Sequence, residues 1–394
     1  GAHAAKGFRV LALAFGEGER EEGLRFLGFV LLLDPPRPEV PEAVARVLKA
    51  GVRVVMVTGD HPATARAIAR RVGMPAEVVA TGEDLETLSD EELLKVDVFA
   101  RVRPEQKLRI VEALQKAGEV VAMTGDGVND APALKRADVG VAMGQRGSDV
   151  SREVADLVLL DDNFATIVAA IEEGRSIYEN IQKFLRFLFS TNLSEVLVVA
   201  LGMVLAALLG LRDEAGHLLL PLTAVQILWI NLVTDGLPAL ALSLDRNPGV
   251  LDRPPRPKES PLLDGPSLRF VLLTGALKAG LALGLLGFLP GAVGLEAAQS
   301  ATFHFMAIGQ LFFAYAARHT DLRPLPNPYL HGAVGLSALA QVALGVGLPG
   351  ALEAVPLPLG VWLLVFGMAL LAFALAEAVD RAVWKRGAAY APPR

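Results

Sequence analysis

The sequence predicts an α/β domain with a Rossmann-like parallel sheet, followed by an all-α bundle of six transmembrane helices. Up to about residue 160, short apolar runs alternate with helical patterns, which is typical of a parallel sheet covered by helices on both faces. Beyond about residue 163, apolar segments follow one another, each near the roughly 20 residues needed to cross the hydrocarbon core of a bilayer.

Composition supports this division into a polar and an apolar part. Hydrophobic residues make up 53% of the 394 residues and charged residues 20%, and most charges precede about residue 190. The net charge is −6 and no basic block occurs, so nucleic acid is a poor partner. The lack of cysteine excludes disulfides, thiolate metal sites and cysteine nucleophiles. The chain begins with Gly1, and we expect it to be part of a longer protein.

The elements of the first domain follow in alternating order. Strands are predicted at residues 8–15, 26–33, 52–58, 97–100, 120–124, 139–142 and 157–160, and helices at 41–50, 62–72, 89–94, 104–117 and 130–137. Pro62, Pro104 and Pro132 suit the first turns of three of these helices, and Asn129 or Asp130 can cap the last one.

A long helical stretch from Asn163 starts amphipathic and becomes apolar all round, as a polar stalk entering a bilayer would. The spans are predicted at about 183–210, 222–243, 268–289, 299–317, 330–349 and 358–380. The domains are predicted as 1–25, the end of a nucleotide-binding domain; 26–162, a phosphorylation domain; and 163–394, the stalk and the membrane helices. Because the stalk joins the two parts without a linker, motion in one should reach the other.

Basic residues in the loops predict the orientation. The loops opposite are almost free of basic residues. Those after the second, fourth and sixth spans contain Arg246, Arg253, Arg256, Lys258, Arg318, Arg323, Arg381, Lys385 and Arg386. The positive-inside rule therefore places the soluble domain and both chain ends in the cytoplasm of a multi-pass membrane protein, and we expect a bacterial plasma membrane.

Two strands end in acidic loops, at the carboxyl edge where parallel sheets bind ligands. Asp126, Asn129 and Asp130 follow one strand and suit Mg²⁺, which prefers carboxylate oxygens and water. Thr58 and the backbone around Gly59 follow the other and can hold phosphate oxygens, and Lys107 can reach a phosphate. A single TGD can also be no more than a capped turn. The full run TGDGVNDAPALKRADVGVAMG, beside a second TGD, favours phosphate chemistry.

Polar side chains recur inside the first two predicted spans, where a carboxylate is costly and marks an ion pathway or site. Asn192 and Glu195 share one helix face, and Asn231, Thr234 and Asp235 share another. Gly236 and Pro238 follow at once and can free backbone carbonyls. This all-oxygen set suits calcium better than zinc or copper. The alternative is a polar clamp that only holds the helices together.

These motifs resemble the P-type ATPases, cation pumps with a haloacid-dehalogenase-like phosphorylation domain. The resemblance covers essentially the whole chain and rests on DPPR at 34–37, MVTGD, FARVRPEQK and MTGDGVNDAPALKRADVGVAMG, in the family's order. The membrane half, with STNLSEV and LWINLVTDGLPALAL, resembles the calcium-pump branch. The resemblance implies ATP, Mg²⁺, a lipid bilayer and a transported cation, most readily Ca²⁺, as cofactors and partners.

The resemblance also implies roles for single residues. Thr58, Gly59 and Asp60 match residues beside the nucleotide and the phosphorylation site; Lys107 matches a contact of the transferred phosphate; Asp126 matches the magnesium ligand; Asn129 and Asp130 match residues that support this site; Arg101 and Arg9 match nucleotide contacts. Gln310, in AIGQLFF, stands where the calcium-pump pattern has a further acidic ligand, so one charge is lost.

Two family motifs do not occur in the sequence: DKTGT, which holds the phosphorylated aspartate, and the TGES loop. Asp60 and Asp126 are therefore not the nucleophile. The chain resembles the carboxyl-terminal portion of a pump, and we expect it to depend on the missing amino-terminal portion and to be inactive alone.

Further alternatives stay open at this point. A sodium or proton pump of the same family fits Glu195 and Asp235 as well, and a phosphatase-like domain fused to a secondary transporter would need no upstream phosphorylation motif. Lys278 lies in the middle of a predicted span, where it can pair with a carboxylate, replace a countertransported cation or serve as a structural residue. We interpret His304 as structural.

Overall fold

The structure is a computed structural model that describes residues 8–16, 23–32, 35–212, 216–318 and 326–387. The chain divides into two compact units. Unit 1 comprises Gly1–Glu173 and Leu251–Ser260, and unit 2 comprises Gly174–Val250 and Pro261–Arg394.

Unit 1 begins with a two-stranded hairpin, whose strands β1 (Arg9–Phe15) and β2 (Arg25–Leu32) pair antiparallel. The prediction that these runs belong to the parallel sheet is wrong, because they pair only with each other among the described residues. Both faces of the hairpin expose large apolar side chains, such as Phe15, Phe26 and Phe29. The pairing joins segments on either side of the predicted domain boundary between residues 25 and 26; the boundary itself stays a prediction.

The other strands of unit 1 form parallel sheets, as the sequence predicts. The first three-stranded sheet has the order β3 (Met56–Val57), β5 (Val98–Ala100), β4 (Val79–Thr81), and the second has the order β6 (Ala122–Gly125), β7 (Val139–Met143), β8 (Leu157–Leu159). Where one sheet was expected, the described residues form two, and β3 and β6 are edge strands.

Helices cover the first parallel sheet on both faces. The helices of unit 1 are α1 (Val40–Lys49), α2 (Pro62–Arg71), α3 (Asp90–Leu93), α4 (Pro104–Lys116), α5 (Ala131–Arg136), α6 (Asp149–Val154) and the beginning of α7 (Phe164–Leu209). Successive side chains of β5 point to opposite faces: Val98 and Ala100 pack with Ala65 of α2, whereas Phe99 packs with Ile110 of α4. This alternation produces the three-layer α/β arrangement that the apolar runs predict.

Local signals explain where these helices begin. Pro62 and Pro104 occupy first-turn positions, and the His61 ring accepts a hydrogen bond from the Ala63 N–H at the start of α2. The predicted cap of α5 is wrong in one respect. Asp130 precedes the helix, but its carboxylate makes no capping hydrogen bond to it.

Unit 2 consists of helices at the positions of the six predicted spans. The first is α7. The second helix has three parts, namely α8 (Ala224–Trp229), a π-helix (Ile230–Asp235) and α9 (Gly236–Leu242). The remaining helices are α10 (Gly265–Phe288), the short α11 (Pro290–Val293), α12 (Leu295–Ala316), α13 (Pro328–Gly347) and α14 (Leu359–Gly387). Five of them are long and apolar enough to cross a membrane: α7, the second helix, α10, α13 and α14. The fourth predicted span corresponds to α12, which is not among these five, so its membrane crossing stays a prediction.

Helix α12 is the most enclosed of these helices. Its residues from Ala301 to Leu311 are all buried, and the helix packs against α10, α13 and α14. Large apolar side chains, including Phe303, Phe305 and Phe313, fill the core around it. A polar side chain on α12 is therefore held away from lipid and faces the other helices.

Candidate functional sites

The first TGD loop follows β3 and is fastened to the loop after β5. The Arg101 N–H donates to the Asp60 carbonyl at 3.0 Å, and the Val102 N–H donates to the Thr58 carbonyl at 3.1 Å. The Thr58 hydroxyl accepts from the Asp60 N–H at 3.1 Å, which closes a tight turn around the exposed Gly59. Arg101 has a φ of 51°, an uncommon left-handed conformation for a residue other than glycine. These contacts bring Thr58, Asp60 and Arg101 together.

The second TGD loop follows β6, and its groups divide into an exposed and a buried set. Asp126 and Asn129 are exposed, whereas Asp130 is buried. The Lys107 ammonium lies 2.5 Å from the Asp130 carboxylate, and the Gly127 N–H also donates to that carboxylate. Asp130 therefore holds Lys107 and the loop backbone in place, which leaves Asp126 and Asn129 facing outward.

The geometry around Asp126 fits a magnesium ion that keeps several waters. Its carbonyl accepts from the Ser148 N–H at 2.8 Å, which fixes the backbone behind the exposed carboxylate. No group of three or more histidine, aspartate or glutamate side chains converges on a metal position in the described ranges. Such an ion would take Asp126, water and substrate oxygens as ligands.

Two cavities of unit 1 lie beside these loops. One, of about 620 Å³, is lined by residues of both edge strands, including Val57 of β3 and Met123 of β6, together with Lys107. The other, of about 500 Å³, is lined by Arg101, Arg103 and His61. The first cavity therefore lies where a single continuous sheet would have another strand between β3 and β6.

A polar cluster lies inside unit 2. Gln310 of α12 donates to Glu195 of α7 at 2.7 Å and to Asp235 at 3.4 Å, and Asn231 donates to Glu195 at 3.0 Å. Thr234 lies near the Gln310 carbonyl oxygen, at 3.5 Å. Glu195, Asp235, Thr234 and Gln310 are all buried. The structure thus brings together five of the six predicted cation ligands around two carboxylates.

Thr191 belongs to the same cluster, although the sequence analysis missed it. Its buried hydroxyl donates to the Asp235 carboxylate at 3.0 Å. Thr191 lies four residues before Glu195, so the two share a helix face, and this spacing would have revealed it. Asn192, the sixth predicted ligand, is exposed, and its amide donates to the Leu188 carbonyl of its own helix. The structure does not bring Asn192 into the cluster.

The π-helix places three of the predicted ligands, Asn231, Thr234 and Asp235. It spans Ile230–Asp235, directly before Gly236 and Pro238, and π-turns inside α-helices are frequent at functional sites. The Val233 carbonyl in this segment accepts a hydrogen bond from Ser337 of α13 at 2.9 Å. The sequence predicts a loosened helix here, but it does not reveal that Ser337 supports it.

Two further residues of the sequence analysis are Arg9 and His304. The side chain of Arg9 lies outside the part of the chain that the structure describes. His304 is fully buried and stacks near Trp362, with ring centroids 4.5 Å apart, and its Nδ1 is hydrogen-bonded to Gln341 at 2.7 Å. These contacts favour the structural interpretation of His304.

Family models match two parts of the chain. Residues 2–138 match the haloacid dehalogenase-like hydrolase family, and residues 219–382 match the carboxyl terminus of cation transporting ATPases. The first match covers both TGD loops and Lys107, and the second covers Asp235 and Gln310.

Curated relatives match most of the chain. A protein of Bacillus subtilis named calcium-transporting ATPase is 42% identical over 393 residues, which cover 93% of this chain and 42% of that protein. Calcium-transporting ATPase 1 of Yarrowia lipolytica is 47% identical over 65% of this chain and 28% of its own length. The probable cation-transporting ATPase F of Mycobacterium bovis is 39% identical over 93% of this chain and 42% of its own. The chain thus spans less than half the length of these relatives.

Proposed function

Because this chain belongs to the P-type cation-transporting ATPases and corresponds to their carboxyl-terminal part, we propose that the longer protein exports a cation, most readily Ca²⁺, from the cytoplasm at the expense of ATP. The single observation that carries this proposal is the buried cluster of Glu195, Asp235 and Gln310. Two carboxylates without enough donors to satisfy them are costly inside an apolar bundle, and a cation would supply the missing charge.

The proposed reaction passes through an aspartyl-phosphate whose aspartate lies outside this chain. The cavity between β3 and β6 supports this proposal, because two edge strands with a gap between them can accept one more parallel strand. A strand inserted there would end beside both TGD loops. Its carboxyl-terminal aspartate would then lie near Lys107, Asp126 and Thr58.

Each loop residue has a defined task in that proposal. The Lys107 ammonium, oriented by Asp130, offsets negative charge on the transferred phosphoryl group. Asp126 would hold a magnesium ion together with water and substrate oxygens, with Asn129 supporting the site, and the ion would lower the charge of the reacting phosphate oxygens. Thr58, Gly59 and Asp60 contact the phosphate and nucleotide, and Arg101 and Arg9 bind the nucleotide. The chain is inactive alone, since the acceptor aspartate is not in it.

The chain is an integral membrane protein: within the described ranges five helices are suited to cross a bilayer, and its relatives include proteins named calcium-transporting ATPase. We place unit 1 in the cytoplasm and the protein in a bacterial plasma membrane, in agreement with the basic loops. Calcium is preferred because the cluster offers only oxygen ligands. Gln310 in place of an acidic ligand keeps a sodium or proton pump as the second candidate, since it lowers the negative charge of the site.

The experiment is an ATPase and phosphorylation assay on the full-length protein in membranes. We expect radioactive ATP to label the protein only when calcium is present, with an acid-stable and hydroxylamine-sensitive bond. Labelling with sodium but not with calcium would overturn the choice of ion. Active transport without any phosphorylated protein would overturn the pump mechanism and favour a secondary transporter.

A further inference from the structure

Lys278 is a fully buried cation on α10 whose amine is not used by the proposed function. Its side chain is 0% exposed, and its Nζ has no hydrogen-bond partner in the described part of the chain. An ammonium group normally makes three hydrogen bonds, so a buried one without any is costly unless a charge compensates for it.

Close packing of three helices places the Lys278 side chain beside Gly309 of α12, the residue before Gln310. A Cβ on Gly275, one turn earlier, would lie 2.9 Å from Leu193 and 3.1 Å from the Ser190 carbonyl, so α10 approaches α7 closely there. The lysine chain runs past Gly309, where an added Cβ would lie 3.6 Å from its Cε. Gly309 immediately precedes Gln310, which binds both carboxylates.

The groups around the amine provide charge rather than hydrogen bonds. Glu195 and Asp235 both attract the ammonium electrostatically. The Asp235 Oδ1 atom, like the Lys278 amine, is buried without a hydrogen-bond partner among the described residues. The Phe313 ring centroid lies 5.7 Å from Nζ on another side and offers a weak cation–π contact. The Asp235 Oδ1 atom and the Lys278 ammonium can therefore each bind an additional ligand, or they can attract each other.

We propose that the Lys278 ammonium is a tethered cation of the transport site, which limits the site to one divalent cation per cycle and compensates its carboxylates when that cation has left. This inference rests on the proposed function, because it concerns the same cation cluster. In this role Lys278 sets the number of cations bound and the affinity of the site for them. Neither the fold nor the other members of the cluster require such a residue.

Charge balance gives the physical reason. Glu195 and Asp235 carry two negative charges and Lys278 one positive charge, so the empty site has a net charge of about −1 by formal counting. One divalent cation brings the site to about +1, and a second would bring it to about +3 in an interior that solvates charge poorly. Without the ammonium, one divalent cation would neutralise the site, and a second would meet less repulsion.

The test measures binding of radioactive calcium to the full-length protein in detergent, without ATP, in wild type and the variants Lys278→Met, Lys278→Gln and Lys278→Arg. Thr274→Val is the matched control. It removes a buried hydroxyl one turn away on the same helix, where Thr274 donates to the Phe270 carbonyl of α10. Labelling by inorganic phosphate in the absence of calcium reports whether each variant is folded.

We expect both neutral variants to bind calcium at least about tenfold more tightly than wild type, because one nearby positive charge is removed. We also expect them to release phosphate from the phosphoenzyme more slowly, because the emptied carboxylates lack their internal cation. Lys278→Arg should keep a stoichiometry of one, and Thr274→Val should behave as wild type.

Unchanged affinity and stoichiometry in folded neutral variants would overturn the proposal. So would a result in which both neutral variants fail to fold while Lys278→Arg folds and binds as wild type, because Lys278 would then be structural. Failure of the wild-type protein to form any phosphoenzyme would overturn the proposed function instead, and calcium binding without ATP would still decide the role of Lys278.

Discussion

The Lys183 ammonium lies 2.8 Å from the Asp245 carboxylate, and both side chains are almost completely buried, at 1% and 0% exposed. Arg318 adds two hydrogen bonds to the same carboxylate, of 3.0 and 2.8 Å, and Asn327 adds one of 2.8 Å. Burial opposes the charged form of Asp245, but the hydrogen bonds from Arg318 and Lys183 outweigh it and lower its pKa. The Asp245 carboxylate, just after α9, thus connects Lys183 of α7, Arg318 just after α12 and Asn327 just before α13.

Asp245→Asn should destabilise the protein strongly, by about 3–5 kcal/mol, because it leaves two buried cations without their shared negative charge. Thermal unfolding of the solubilised full-length protein measures the change. Asp252→Asn is the control. It breaks the exposed pair of Asp252 with Lys49, 2.9 Å apart, and should cost less than about 1 kcal/mol. Equal losses in the two variants would contradict the central role of Asp245.

Lys107→Ala should lower the rate of phosphoenzyme formation by about 100-fold to 1,000-fold, as expected when a charged group that stabilises a reacting phosphate is removed. Rapid-quench labelling with radioactive ATP measures this rate. Lys116→Ala is the matched control on the same helix, since Lys116 forms an exposed pair with Asp90 at 3.4 Å. A normal rate in Lys107→Ala would remove Lys107 from the phosphate site.

Ser337→Ala should weaken cation binding, because the Val233 carbonyl of the π-helix loses its donor. Loss of one hydrogen bond to this half-buried carbonyl costs about 0.5–1.5 kcal/mol, which corresponds to a loss of affinity of up to roughly 10-fold if the π-helix reverts to a regular helix in the unbound state. Thr302→Val is the control, because its hydroxyl donates to the Ala298 carbonyl within a regular part of α12. Calcium affinity that is the same in both variants would show that Ser337 does not support the site.

Asp138 should contribute a constant amount of stability between pH 7 and pH 5. Burial opposes its charge, but the Val121 N–H and Lys258 together lower its pKa from 3.8 to about 2. A carboxylate with a lowered pKa stabilises the fold above its unfolded pKa, and this stabilisation fades as the pH falls from about 4 to about 2. The difference in unfolding temperature between wild type and Asp138→Asn measures it. A difference that shrinks already between pH 7 and pH 5 would contradict the prediction.

The parallel sheets and most members of the buried polar cluster could be predicted because their signals are local. The apolar runs at β5 and β7 indicate buried strands. A carboxylate such as Glu195 inside an apolar run indicates a site, because burying its charge in hydrocarbon costs free energy. The strands β1 and β2 were assigned wrongly because an apolar run has no direction. Nothing in their composition distinguishes a hairpin apolar on both faces from a buried parallel strand.

The remaining features depend on contacts between residues far apart in the sequence. Asp245 joins Lys183, Arg318 and Asn327, which are separated from it by 62, 73 and 82 positions. Ser337 reaches Val233 from another helix, and a serine in an apolar helix has no spacing signal of its own. The prediction that Asn192 faces the cluster is wrong, because helical periodicity defines a helix face only to within a residue or two. Thr191, the residue before it, occupies the position toward Asp235.

The two edge strands β3 and β6 also have a consequence for how this protein can be produced. During synthesis the amino-terminal portion would leave the ribosome first, so the strand that we propose it contributes would already be present when β3 and β6 emerge, and their edges would not remain unpaired. A chain made without that portion exposes both edges together with the apolar hairpin β1–β2. Unpaired edges are templates for pairing with other copies, so this piece expressed alone should aggregate, and supplying the missing portion in the same cell should keep it dispersed.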